Sequence, residues 1–256
     1  MFERFPKSHT KLPDAYQAIY EAHYRSNRDG ATAAASLAQR LEAWMHRQVA
    51  MDVIGTSAGG GCAASTLEIG AGTLNQLAYE PAGAVYDIVE PFSSLYADSA
   101  YFRRVSQVFP QIWDVPMERR YTRITSIATF EHVCDLPQLV ARCGLLLDEE
   151  GVLRVAIPSE GTLLWTLAWR VSTGLEFWLR HRLDYGVMMR HEHVNTAQEI
   201  EDVLRYFFEG VECRVFGLSR SLSLYRYYEC QHPMMDRCSS WGRAAPLTQA
   251  SLGDEK

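Results

Sequence analysis

The sequence predicts an α/β protein built on a mostly parallel sheet, and two observations support this fold. A short buried strand over residues 66–69 runs into a tight turn at Gly70 and Gly72, after which helical spacing resumes at Thr73. A strand over residues 85–90 then ends in Glu90, eighteen residues after Gly72. Glycines let a backbone approach a nucleotide closely, and a carboxylate at this distance can accept hydrogen bonds from ribose hydroxyls. Together they predict a nucleotide site at one edge of the sheet.

The other predicted elements alternate between strands and helices. Asp14 caps a predicted helix that includes Tyr20, a second helix covers residues 31–51, and glycines 59–61 lie in a joint before the sheet. The further predicted strands cover residues 105–109, 123–128, 152–157, 211–216 and 222–228. The further predicted helices are a short one after Phe92, then residues 138–147 and 197–208. We expect residues 1–13 to form a loose lead-in.

The composition restricts the functional classes. A chain of 256 residues with 47% hydrophobic residues suits one large domain, and a net charge of −6 without a basic stripe argues against nucleic acid as a partner. The six cysteines form no C-x-x-C pair, which favours reduced thiols in a cytoplasmic protein over a zinc site. The apolar stretch 163–171 is too short to span a bilayer, and the first residues lack a run of signal-peptide length.

Four stretches resemble the class I S-adenosylmethionine-dependent methyltransferases. They are residues 67–73 (Leu-Glu-Ile-Gly-Ala-Gly-Thr), 89–91 (Val-Glu-Pro), 126–133 (Ser-Ile-Ala-Thr-Phe-Glu-His-Val) and 153–158 (Leu-Arg-Val-Ala-Ile-Pro). The resemblance implies a Rossmann-like three-layer sandwich with a seven-stranded sheet and an antiparallel C-terminal strand. It also implies S-adenosyl-L-methionine as the cofactor. The implied organisation is an N-terminal helical lid over residues 1–62, a methyltransferase domain over 63–230 with a helical insert at 162–193, and a tail over 231–256.

The resemblance also implies which residues bind the cofactor. They are Glu68, Gly70, Ala71, Gly72, Glu90, Pro91, Asp114, Ala128, Thr129 and His132. Asp114 would lie near the adenine amine, or alternatively begin a turn before Pro116; His132 would contact the cofactor or cap the next helix. Many members have a third glycine where this chain has Leu74, so the segment after the turn must pack differently here.

The acceptor is expected to contact the lid and the insert. The candidate residues are Tyr24, Arg28, Glu160, Trp165, Tyr185 and Glu192. Tyr20 is either a further lid residue or part of the core. The apolar insert favours a core or interface role over a membrane anchor, and a homodimer is one expected assembly.

The segment from His191 to His193 is the candidate catalytic segment. In an extended conformation both imidazoles would lie on one side, where either could take a hydroxyl proton as a general base. Two histidines at this spacing could also hold a metal, but no third ligand is identifiable and no metal is expected. The alternative is a loop that caps the next helix, with Asn195 as the N-cap and Gln198 three residues later.

These observations predict methyl transfer to a hydroxyl or amine of a small molecule. The absence of an Asn-Pro-Pro-Tyr type motif after the fourth strand disfavours nucleic-acid bases and protein glutamine as acceptors. The chain resembles bacterial enzymes that modify sugars or nucleotide sugars of surface polysaccharides, and a natural product is an equally open acceptor. The alternatives are a non-catalytic binding or scaffold protein and a nicotinamide-dependent reductase, which Leu74 and the lack of a Tyr-x-x-x-Lys pair disfavour.

Overall fold

A computed structural model of the chain describes residues 2–17, 19–20, 42–53 and 65–242. Residues 42–49 are helical, in agreement with the second half of the predicted 31–51 helix. Tyr24, Arg28, the predicted joint and the end of the chain after residue 242 lie outside the described residues.

The described residues contain a seven-stranded sheet with the strand order β3-β2-β1-β4-β5-β7-β6. The strands are β1 (Ser65–Ile69), β2 (Val85–Val89), β3 (Gln107–Phe109), β4 (Tyr121–Ile127), β5 (Leu147–Pro158), β6 (Phe208–Gly217) and β7 (Ser223–Pro233). The first five strands pair in parallel, and β7 pairs antiparallel with both β5 and β6. The predicted mixed sheet with its antiparallel C-terminal strand is therefore confirmed.

Seven α-helices follow β1 in the described part of the chain. They are α1 (Ser93–Tyr96), α2 (Leu136–Leu146), α3 (Leu163–Trp169), α4 (Leu175–His181), α5 (Gly186–Glu192), α6 (Ala197–Phe207) and α7 (Met235–Gly242). A π-helical stretch, Arg170–Gly174, joins α3 to α4. The insert predicted at residues 162–193 is helical, as expected.

Alternating residues of the central strands face two apolar layers. Val155 and Ile157 of β5 belong to the larger core, which also contains residues of α2, α6 and α7. Ala156, between them, packs in a second cluster with Met45 and Val49 of the 42–49 helix. Because both faces of β5 are covered in its second half, residues 152–157 are apolar apart from Arg154, as is usual for parallel strands in three-layer folds.

The helix predicted directly after the glycine turn is absent from the structure. A 3-10 segment, Asn75–Ala78, takes its place. Leu74 precedes this segment with a φ of 66°, in the left-handed region, and its side chain is fully buried. An α-helix cannot continue through a left-handed residue, so the position that lacks the third glycine packs differently, as the sequence predicted.

Both the lead-in predicted for residues 1–13 and the start of the predicted tail contribute to the core, so these two predictions were wrong. Phe2 packs edge-on against Tyr206 and Trp241, so residues 2–13 are not a loose lead-in. The tail predicted to begin at residue 231 begins too early, because β7 continues to Pro233 and α7 buries Cys238 against α2. Sequence periodicity misses these contacts because the apolar residues of both ends are few and widely spaced.

The insert carries an exposed apolar stripe. The stripe consists of large apolar residues that recur every four positions and expose half or more of their surface: Leu163, Leu167, Val171, Leu175 and Leu179. Among the described residues, no helix combines the length and apolarity needed to cross a bilayer.

Candidate functional site

The turn after β1 is shaped by two glycines with different roles. Gly70 has a φ of +71°, and a Cβ atom at this position would lie 2.3 Å from Oγ1 of Thr129. Gly72 has a φ of +49°, and a Cβ atom there would meet no atom within 4 Å among the residues that the structure describes. Gly70 is therefore required by the packing of the turn against the end of β4, whereas Gly72 borders open space at the carboxyl edge of the sheet.

Glu90 follows β2 and joins this turn to the neighbouring strand. Its Oε2 accepts a hydrogen bond from the N–H of Gly72 at 2.9 Å, and its Oε1 accepts one from the N–H of Phe92 at 3.0 Å. Glu90 is only 5% exposed. These bonds hold the carboxylate beside the glycine turn, and Pro91 is the residue between Glu90 and Phe92.

Glu68 supports the turn from inside the protein. Its carboxyl group is buried and accepts a hydrogen bond from the hydroxyl of Tyr86 at 2.9 Å. Burial, opposed by this hydrogen bond, raises the pKa of Glu68 to about 8. Ala71, in the turn itself, packs in an apolar cluster with Leu74. The predicted cofactor contacts of Glu68 and Ala71 stay predictions.

Asp114 closes a 3-10 turn, Ile112–Asp114, beyond the carboxyl end of β3. Its Oδ2 accepts a hydrogen bond from the N–H of Gln111 at 3.0 Å, which completes a capping box. The alternative to an adenine contact was a turn that begins at Asp114, but in the structure Asp114 ends a turn instead. Its side chain is exposed.

The end of β4 is bent at two residues that were predicted to hold the cofactor. Ala128 has a φ of 49°, an unusual conformation for a residue with a Cβ, and its N–H donates to the carbonyl of Ala156 on β5 at 2.8 Å. The hydroxyl of Thr129 donates to the carbonyl of Ile127 at 3.0 Å. Such backbone strain concentrates at functional sites and persists only where the surroundings enforce it.

Three polar side chains meet directly after this bend: Glu131, His132 and His193. Their potential ligand atoms all lie within 4.8 Å of one another. Burial raises the pKa of Glu131 to about 7. The pKa of His132 is lowered by burial and by His193, whereas that of His193 is raised, because its carboxylate neighbours outweigh the effect of burial. We call this group the Glu131 cluster.

The strand-end turn and the segment after α5 are tied together by Asn195. Its side-chain amide donates to the carbonyls of Phe130 and Val133 at 2.8 and 2.7 Å. The N–H groups of Val194 and Asn195 both donate to the carbonyl of Glu131. Asn195 is therefore not the N-cap of α6. That position belongs to Thr196, whose side chain and Glu199 form the capping box.

His191 and His193 do not share one side, because the segment is not extended. α5 continues to Glu192 and His193 is its C-cap residue. Nδ1 of His191 donates to the carbonyl of Thr10, and the His191 ring packs edge-on against Tyr20. His193 instead reaches the Glu131 cluster, so the structure separates the two predicted catalytic histidines.

The candidate acceptor residues that the structure describes divide into two groups. Glu160 follows β5 and accepts hydrogen bonds from Nε1 of Trp165 at 2.6 Å and Nδ1 of His193 at 2.8 Å. Glu192 contributes its backbone carbonyl, which accepts from Nδ1 of His132 at 2.9 Å. Tyr185 packs with Trp169 and Phe177 within the insert. Glu160, Trp165 and Glu192 thus adjoin the Glu131 cluster, whereas Tyr185 belongs to the packing of the insert.

The sequence placed Glu131 and His132 in one of the stretches that resemble the family but did not join them to His193. The signal for that contact is weak, since sixty-two residues separate Glu131 from His193. The two segments lie near each other because Glu131 follows β4, whereas His193 ends the helical insert that follows β5, the neighbouring strand.

The fold of this chain is similar to the folds of solved methyltransferase structures. The plantazolicin methyltransferase BpumL, in complex with S-adenosylhomocysteine, superposes with a TM-score of 0.52 at 12% sequence identity, covering 85% of this chain and 92% of that one. The N-methyltransferase NodS from Bradyrhizobium japonicum WM9 superposes with a TM-score of 0.50 at 13% identity, covering 76% of this chain and 87% of that one. This chain has the class I methyltransferase fold. No protein-family model and no curated protein matches its sequence.

Proposed function

We propose that this protein is an S-adenosylmethionine-dependent methyltransferase that methylates a hydroxyl or amine of a small molecule. One observation carries the proposal: the open side of Gly72, the fixed carboxylate of Glu90 and the Glu131 cluster all border the carboxyl edge of a class I methyltransferase sheet. Ligands of open α/β sheets bind at this edge.

The residues at the glycine turn fit the cofactor. S-adenosyl-L-methionine supplies an activated methyl group on a sulfonium. A Cβ atom at Gly72 would meet no atom of the described residues within 4 Å, and Glu90 lies beside it with a carboxylate suited to ribose hydroxyls. The bent backbone at Ala128 and Thr129 would hold the amino-acid part of the cofactor. Positioning of this kind can supply about 7 to 11 kcal/mol of the barrier reduction.

The Glu131 cluster would manage the acceptor's proton. The carboxylates around His193 raise the pKa of its imidazole, which makes it a stronger base, and burial raises the pKa of Glu131 to about 7. Glu160 orients His193 through Nδ1. His193 is therefore the general base, a role for which the sequence offered either His191 or His193.

A sugar or nucleotide sugar is the acceptor class that we infer, with a natural product as the alternative. Glu160 offers a carboxylate for hydroxyl groups, and the partly buried ring of Trp165 lies next to it. An aromatic face beside a carboxylate suits a molecule with both apolar ring faces and hydroxyl groups.

We further infer a homodimer through the exposed apolar stripe of the insert. An exposed apolar patch of this kind commonly marks an interaction surface. Sedimentation velocity of the wild type and of Leu167→Glu tests this inference. A dimer that Leu167→Glu dissociates supports it, and a monomeric wild type contradicts it.

The decisive assay for the function uses methyl-labelled S-adenosylmethionine with a panel of sugars, nucleotide sugars and aromatic natural products. We expect label in a small-molecule product, and less of it with Glu90→Gln. Binding of the cofactor without any transfer to the panel or to a metabolite extract would favour a scaffold protein. Binding of NADH in place of S-adenosylmethionine would favour a reductase.

A further inference from the structure

We propose that Glu131, His132 and His193 bind a divalent transition-metal ion at the carboxyl edge of β4. Two imidazoles and one carboxylate form a common ligand set for Zn²⁺, Fe²⁺, Mn²⁺ and Co²⁺. The potential ligand atoms of the three residues lie within 4.8 Å of one another, and Nε2 of His132 lies 3.8 Å from Oε1 of Glu131. Atoms bound to one ion are roughly 3 to 3.5 Å apart, so side-chain adjustments of about 1 Å would close the set.

The hydrogen bonds of both histidines direct the same ring nitrogen towards an ion. Nδ1 of His132 faces the carbonyl of Glu192, which can only accept, so this nitrogen carries a proton. Nδ1 of His193 faces the carboxylate of Glu160 at 2.8 Å and donates to it. The lone pair of each ring is therefore on Nε2. A histidine that donates one N–H to a carboxylate or carbonyl while its other nitrogen binds a metal is a recurrent arrangement.

Glu131 provides an independent observation that points to a ligand. The residue is 1% exposed, and its Oε2 lacks a hydrogen-bond partner within the described part of the chain. A buried carboxylate oxygen without a partner is costly, since it has lost its water and gained nothing in return. A cation bound at this oxygen would remove that cost.

The backbone around the three ligands is held in place before any ion binds. The carbonyl of Glu131 accepts hydrogen bonds from the N–H groups of Val194 and Asn195. The Asn195 side chain adds two more bonds to the turn that contains Glu131 and His132. His193 is thus fixed against the other two ligands, and binding does not have to order a loop.

The coordination would remain open on one side. The His132 side chain is 41% exposed, in contrast to 2% for Glu131 and 11% for His193. Three protein ligands with an accessible face characterise sites at which an ion also binds water or substrate, whereas structural zinc sites use four protein ligands. Binding of the ion can be measured without methyl transfer. An ion on Nε2 of His193 would occupy the lone pair that takes the acceptor's proton in the proposed function, so it would activate the acceptor oxygen in place of that base. Its use in binding an acceptor oxygen rests on the proposed function.

The test uses full-length protein from which metal has been removed with a chelator. It is titrated with Co²⁺, whose visible absorption bands report binding. Separate calorimetric titrations measure the binding of Zn²⁺ and Mn²⁺. Glu131→Gln and His193→Gln each remove a ligand atom with little change of shape. His232→Gln is the matched control, because this exposed histidine lies near the opposite end of β7 from the site. Circular dichroism establishes that each variant is folded.

We expect one Co²⁺ per wild-type chain, and binding at least 100-fold weaker in Glu131→Gln and His193→Gln than in His232→Gln. A folded wild type that binds none of the three ions would overturn the proposal, leaving His193 as a protonated link between two carboxylates. Equal binding by the wild type and both ligand variants would also overturn it. S-adenosylmethionine binding, measured separately without metal, shows whether the proposed function stands in either event.

Discussion

Oε2 of Glu90 accepts a hydrogen bond from the N–H of Gly72 at 2.9 Å, which joins the end of β2 to the glycine turn after β1. The Glu90→Gln variant keeps the size of the side chain and removes its charge. We expect S-adenosylmethionine to bind at least about tenfold more weakly, because hydrogen bonds to a charged group contribute about 1.5 to 3 kcal/mol. Calorimetric titration measures the change. Unaltered affinity in the folded variant would show that Glu90 does not contact the cofactor.

Gly70→Ala tests the close contact between the turn and β4. The new Cβ would lie 2.3 Å from Oγ1 of Thr129 at a residue with positive φ. We expect a loss of about 2 to 4 kcal/mol in the free energy of unfolding, from overpacking and backbone strain together. Gly210→Ala is the matched control, since its Cβ would meet Gln231 at an ordinary 3.6 Å. Equal denaturation midpoints for the two variants would contradict the packing role of Gly70.

His193→Gln separates cofactor binding from turnover. We expect unchanged affinity for S-adenosylmethionine and a turnover reduced by about 10²- to 10⁴-fold, the usual contribution of acid–base catalysis. His191→Gln should reduce turnover at least tenfold less, because the His191 ring contacts Thr10 and Tyr20 rather than the Glu131 cluster. Labelled methyl transfer provides the rates. A greater loss for His191→Gln would return the catalytic role to that residue.

Asn195→Ala tests the tie between the strand-end turn and the segment after α5. The variant removes the amide that donates to the carbonyls of Phe130 and Val133, which should cost about 1 to 3 kcal/mol of stability. Gln198→Ala on the exposed side of α6 should cost less than about 0.5 kcal/mol. Urea denaturation compares them, and similar losses for both would argue against the tie.

The stability of the protein should fall as the pH rises, through Glu68. Burial raises the pKa of Glu68 to about 8, from an ordinary value of 4.5. Below the ordinary value the carboxyl is protonated in both the folded and the unfolded chain, and its contribution to stability is fully present. Between the two values folding takes up a proton, so the free energy of unfolding falls with rising pH by at most about 1.4 kcal/mol per unit.

Urea denaturation of the wild type and Glu68→Gln between pH 5 and 8.5 checks this pH dependence. The variant cannot ionise at this position, and we expect a flatter profile. Identical slopes for the two proteins would mean that the carboxyl of Glu68 does not hold its proton in the folded state.

The fold could be predicted from the sequence because its signals are local. Each of three signals is contained in a short stretch of sequence: the strand before Gly70, the acid at Glu90 and the apolar run of β5. All three occupy the expected positions. The absence of a helix after the turn could not be predicted, since the left-handed conformation of Leu74 depends on its burial.

The site was only partly predictable because its contacts join segments that lie far apart in the sequence. Residues 191–193 are too few for their periodicity to distinguish a helix end from a strand, and the helix separates the two histidines. The contact of Glu131 with His193 and the anchoring of Phe2 against α7 depend on the folding of distant segments. No local pattern reports such contacts.

Calorimetric titration of the wild type and Gly72→Val with S-adenosylmethionine tests the central claim most directly. We expect one molecule per wild-type chain with a dissociation constant in the usual range for enzyme substrates, about 1 μM to 1 mM. Gly72→Val, whose side chain would enter the open space beside Glu90, should bind none. Because valine is strained at a φ of +49°, circular dichroism must first show that the variant is folded. A wild type that binds no S-adenosylmethionine, or a Gly72→Val variant that binds it equally well, would contradict the account.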